Sequence, residues 1–105
     1  MDHVSPPVPD LAHKFQRAGL NLSQSLTAGT DPGDPQHLTE ALLTTAVTLH
    51  RAIREIAASD RIANVEERRA LLQAAYAQDK AVALLYQATK AMSRHAREAA
   101  DREAA

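Results

Sequence analysis

Five histidines, His3, His13, His37, His50 and His95, have the widest chemical range of any residues in this 105-residue chain. Imidazole can ligate a metal or relay a proton near neutral pH. The spacing supports neither role. No pair fits HxxxH, none belongs to HExxH, and none follows a Glu by three residues as the di-iron carboxylate bundles require. His50 alone falls inside an apolar stripe and reads as a core or boundary histidine. His95 lies at the edge of another such stripe.

Carboxylates and guanidinium groups alternate around one short stretch: Glu55, Asp60, Glu66 and Glu67 among Arg51, Arg54, Arg61, Arg68 and Arg69. A metal or anion at a helix N-terminus is one use of such a set. Helix caps and a solvated ion network are the simpler reading. Calcium needs more oxygen ligands and a loop glycine, and neither is evident. Lys90, Arg94 and Arg97, spaced i, i+4, i+7, form a basic stripe able to touch phosphates, diluted by Glu98 and Asp101. No Ser/His/Asp arrangement, phosphate-binding loop or dinucleotide fingerprint occurs. No catalytic residue, metal ligand or cofactor is therefore assigned, and an enzyme is not expected.

Composition narrows the elements that could position these groups. Cysteine is absent, which excludes disulfides and thiolate chemistry. Only Phe15, Tyr76 and Tyr86 are aromatic and only three residues are glycine, so the core must come from Leu, Ile, Val and Ala in helices. Net charge is −1, unevenly spread: residues 1–40 hold two basic and five acidic groups, residues 41–105 ten and eight. Whole-chain charge thus makes no case for nucleic acid or membrane. No leader pattern and no apolar run of about 20 residues is present, so a cytoplasmic protein without membrane contact is expected.

Periodicity predicts three helices. Residues 1–9, with three prolines, read as a flexible arm ahead of a single helical domain spanning 10–105. From Asp10 to about Ala28, Leu11, Phe15, Ala18, Leu22 and Leu26 form one helical face, with Gly19 at its edge suggesting close approach of a neighbour. Gly29 and Thr30–Gly33 stop the helix. Asp34-Pro35 starts a second one, reaching about Ala58, with a stripe of Leu38, Leu42, Leu43, Ala46, Leu49, Ile53, Ile56 and Ala57. Asn64, with Glu67 three residues on, opens a third as a capping box.

That third helix, Val65 to about Arg102, contains no Pro or Gly and would extend about 55 Å at about 1.5 Å per residue. Its main stripe is Leu71, Ala74, Ala75, Gln78, Val82, Leu85, Thr89, Met92, Ala96 and Ala99. Leu72 and Tyr76 stand well away from it, which predicts a front half sandwiched within the domain. Asp79 could cap a fresh helix and split the span into a four-helix bundle. The stripe keeps its phase there, so continuity is expected.

The junction Ala58-Ser59-Asp60-Arg61-Ile62-Ala63-Asn64-Val65-Glu66-Glu67-Arg68 resembles the helix–turn–helix junction of the tellurite-resistance TerB-like helical domains, which carry an Asp-Gly-x-Ile-x-x-x-Glu turn. Asp60, the spacing to Glu66-Glu67 and Arg68 agree. Arg61 stands where that family has glycine, and the isoleucine is shifted. The resemblance covers eleven residues of 105 and implies a tight helical junction, with nothing about activity.

The expected fold is all-α: an antiparallel helical bundle of two amphipathic helices and one long C-terminal helix. The expected function is a small non-enzymatic interaction or assembly module. It would form a homo-oligomer, or bind a partner protein, through an interface at Leu85, Thr89, Met92 and Ala96. One alternative is a dimeric nucleic-acid-binding regulator contacting its target through Lys90, Arg94 and Arg97. Another is a metal- or small-ligand-binding helical protein using His50 or the junction carboxylates.

Overall fold

A computed structural model of the chain describes residues 7–104 and is all-α: α1 is Val8–Thr27, α2 Pro35–Ala58 and α3 Val65–Ala104, with no strand among those residues. Most of the predicted arm, residues 1–6, lies outside the described residues. By packing, the chain forms two units, 1–32 and 33–105.

α1 starts at Val8, two residues before the predicted Asp10 cap, so Val8 and Pro9 are helical. Proline in the first turn removes an N–H that has no helical partner anyway. The Pro7 carbonyl accepts from the N–H groups of Asp10 (3.0 Å) and Leu11 (3.2 Å). Asp10 instead serves as the acidic group of the first turn, where it complements the helix dipole. The end of α1 is a Schellman turn: Thr30 N–H donates to the Ser25 carbonyl (3.0 Å) and Gly29 N–H to that of Leu26 (3.1 Å). Gly29 supplies the left-handed residue, with φ of 85°. Every residue of α1 is exposed, including the predicted face of Leu11, Phe15, Leu22 and Leu26. A Cβ at Gly19 would meet no atom within 4 Å.

α2 begins as predicted. Asp34 Oδ1 accepts from the Gln36 N–H at 3.1 Å, and Pro35 occupies the first position. Thr39, Thr44, Thr45 and Thr48 would compete with a helix backbone, yet each donates its hydroxyl to the carbonyl four residues back. The junction after Ala58 is closed by its own polar groups. Ser59 Oγ accepts from Arg61 N–H (3.1 Å), and Ile62 N–H donates to the Ser59 carbonyl (3.1 Å). The Arg68 guanidinium reaches back to the Ile62 carbonyl. Asn64 Oδ1 accepts from the N–H groups of Glu66 (2.8 Å) and Glu67 (3.0 Å) and so caps α3.

α3 is continuous for 40 residues, with no break at Asp79. At about 1.5 Å per residue it is about 60 Å long. α2 and α3 pack against each other. Gln36 Nε2, near the start of α2, donates to Ser93 Oγ at 2.7 Å, and His50 Nδ1 lies 2.9 Å from the Ala75 carbonyl oxygen. Buried or half-buried residues recur at alternating steps of three and four on both helices. On α2 this series is Gln36, Thr39, Leu43, Ala46, His50, Ile53 and Ala57; on α3, Leu71, Ala75, Gln78, Val82, Leu85, Thr89 and Met92, with Leu38, Val47, Leu49, Ala81, Ala88, Ala91 and Ser93 half-buried beside it. That mean step of about 3.5 residues is the period of a coiled-coil seam. The residues buried outright are three alanines, Ala46, Ala57 and Ala75, and no large side chain among the described residues is fully buried.

Candidate interaction surfaces

His50 is held by the seam itself. A carbonyl oxygen can only accept, so the 2.9 Å contact with Ala75 requires the proton on Nδ1. His50 thus stands where the sequence places it, half-buried at a helix–helix boundary. The junction carboxylates Glu55, Asp60, Glu66 and Glu67 are all exposed. No group of three or more His, Asp or Glu among the described residues is placed to hold a metal ion.

Of the predicted interface residues, Leu85, Thr89 and Met92 are half-buried and belong to the seam, while Ala96 is exposed beyond it. α2, the helix packed on α3, covers part of this stripe, and the Thr89 hydroxyl turns back to the Leu85 carbonyl at 2.9 Å. The rest of the apolar surface lies beside Leu85 and Met92. Two rows flank the seam at one residue's remove. On α2 they are Leu42, Leu49 and Ile56, each preceding a seam residue. On α3 they are Ala74, Ala81 and Ala88, again each preceding one, with Leu84 alongside. Leu84 is 65% exposed and Ile56 49%.

The front half of α3 is not sandwiched as its two-sided apolar pattern predicts. Leu72 is 46% and Tyr76 63% exposed, because α2 occupies only the seam side. Tyr76 and Tyr86 instead carry cations. Lys80 Nζ lies 5.0 Å from the Tyr76 ring centre and Lys90 Nζ 5.3 Å from that of Tyr86, one helical turn back in each case. Lys90, Arg94 and Arg97 are exposed as predicted. Sequence reasoning missed that Arg69 and Lys80 continue the same line, a signal present in the 4,3 spacing but hidden by assigning the nearby tyrosine to a core.

No described helix is long and apolar enough to cross a membrane. The chain matches no protein-family model, no curated protein and no solved structure.

Proposed function

We propose that this chain is a small non-enzymatic assembly module that pairs with a second copy of itself through an apolar face of α2 and α3. The observation that carries the reading is the thinness of the core: among the described residues only three alanines are buried outright and the larger seam side chains are half-buried, while Leu42, Ile56 and Leu84 remain exposed. Burying one Leu or Ile side chain contributes about 1.5–3 kcal/mol, far more than an alanine methyl can. Isolated two-helix packing of this kind gains little until its second apolar side is covered.

The proposed arrangement takes α2 and α3 as antiparallel. Its support is that Gln36 meets Ser93 whereas His50, later in α2, meets Ala75, earlier in α3. In an antiparallel pair, positions offset from the seam in the same sense fall on the same side. The α2 row Leu42, Leu49 and Ile56 then stands beside the α3 row Ala74, Ala81 and Ala88. One is a ridge, the other a shallow groove. A two-fold axis would seat the leucine ridge of each copy in the alanine groove of the other, giving a four-helix bundle with a self-complementary interface. Leu85 and Met92, already half in the seam, would be finished by the second copy, and Ala96 would extend the contact.

The test is absolute mass in solution by light scattering coupled to size exclusion, for the wild type and for Leu84→Glu. A dimer that the variant dissociates, with helicity retained, supports the reading. A wild-type monomer overturns it.

A further inference from the structure

The exposed positions 69, 73, 76, 80, 83, 87, 90, 94 and 97 of α3 follow alternating steps of four and three, the same period as the seam but on a different side of the helix. Five of the nine are cations, Arg69, Lys80, Lys90, Arg94 and Arg97, and none is acidic. Gln73 and Gln87, both hydrogen-bonding, take two more places. From Arg68 to Arg97 the helix holds six Lys or Arg and one Asp, a local charge of +5 in a chain whose net charge is −1. Glu66 and Asp101 close the stripe at its two ends. At about 1.5 Å per residue the cations line about 42 Å of a straight edge. A charge run on a helix is usually a solvated face. Such faces mix signs, whereas here five of the six acids of α3 lie toward its ends and Asp79 alone lies between them.

Aromatic rings accompany these charges. Tyr76 belongs to the stripe and Tyr86 lies beside it, 63% and 53% exposed, each with a lysine ammonium held against its ring. The contacts restrain two long side chains and keep two large rings at the surface among cations. We propose that this edge of α3 binds single-stranded nucleic acid, with phosphates on the five cations and bases stacked against Tyr76 and Tyr86. Cations tracking a backbone beside rings that accept any base are the two components of sequence-tolerant single-strand binding. The stripe does not involve the face proposed for self-association, so either can fail without the other.

The experiment is fluorescence anisotropy of a labelled polythymidine of about 20 nucleotides, longer than the ~4–16 of a typical single-strand site. The full chain is titrated at about 50 mM salt and then at rising salt. Expected is saturable binding whose log K falls against log salt with a slope of about −3.5, the value for five neutralised phosphates on a single strand. Lys80→Gln with Lys90→Gln should weaken binding at least about tenfold at that salt. Tyr76→Ala with Tyr86→Ala should weaken it about fivefold or more. Lys14→Gln, on α1, should leave it unchanged. All these positions are exposed, so unchanged helicity by circular dichroism is expected throughout. No binding at about 50 mM salt overturns the proposal. So do equal loss in Lys14→Gln, indifference to the tyrosine changes, or equally tight binding to a duplex or to anionic phospholipid vesicles.

Discussion

At the scale of single residues, much of this chain is governed by hydrogen bonds a few positions long, and those are legible in the sequence. Asp34-Pro35 and Asn64 stand where helices must begin because a short side-chain oxygen is needed for free N–H groups, and both make those bonds. Asn64→Ala should lower stability by about 1 kcal/mol in urea unfolding, while Asn64→Asp should restore most of it. An Ala variant as stable as the wild type would mean that Arg68 and the junction turn hold the start of α3 unaided. His50 is a different case. It is polar at a seam position, and its Nδ1–H is spent on a carbonyl of the neighbouring helix. His50→Leu should raise the urea midpoint, by about 1 kcal/mol of stability, because a polar group at such a position costs packing while fixing register. A lowered midpoint would show that the bond to Ala75 outweighs the apolar area gained.

At the scale of elements, the helices and their ends were readable to within two residues, and so was most of the seam: Leu38, Leu43, Ala46, Leu49, Ile53 and Ala57 of the α2 stripe and Leu71, Ala75, Gln78, Val82, Leu85, Thr89 and Met92 of the α3 stripe are buried or half-buried. Of the polar seam residues, His50, Gln78 and Thr89 lie within the predicted stripes, whereas Gln36 and Thr39 are ones a hydrophobic pattern gives no reason to expect at a helix–helix contact. Leu72, Tyr76, Leu84 and Leu42 have the opposite history: apolar by type, exposed in the structure, because the α2–α3 contact covers one side of each helix. Hydrophobic periodicity identifies the sides that favour burial; it cannot rank them when the front half of α3 offers two. Glycines make the same point on α1. Gly19 sits mid-helix with open space where a Cβ would go, so Gly19→Ala should increase helicity at 222 nm and gain about 0.5–1 kcal/mol of local stability. Gly29 has φ of 85°, and Gly29→Ala should cost about 1–2 kcal/mol, seen as faster amide exchange in the last turn of α1. If both changes moved helicity the same way, the backbone geometry given for one of them would be wrong.

At the scale of the whole molecule, the dominant fact is apolar surface without cover. Among the described residues only three alanines are buried outright, and the larger apolar side chains of the α2–α3 seam are half-buried, against about 1–2 kcal/mol of backbone entropy for each ordered residue. The proposed association would add burial and make stability depend on concentration. The midpoint of thermal unfolding should therefore rise with protein concentration over the range in which copies pair, and a midpoint independent of concentration would speak for a self-sufficient monomer.

The most direct test of self-association is the absolute mass of the chain in solution, taken side by side with Leu84→Glu. Leu84 is 65% exposed, so a glutamate there leaves the α2–α3 seam intact and strikes only the face proposed for the second copy. Expected is a mass of twice 11.4 kDa for the wild type and 11.4 kDa for the variant, with equal helicity. A wild-type monomer, or a dimer indifferent to Leu84→Glu, would contradict the proposal that this face is where two copies meet.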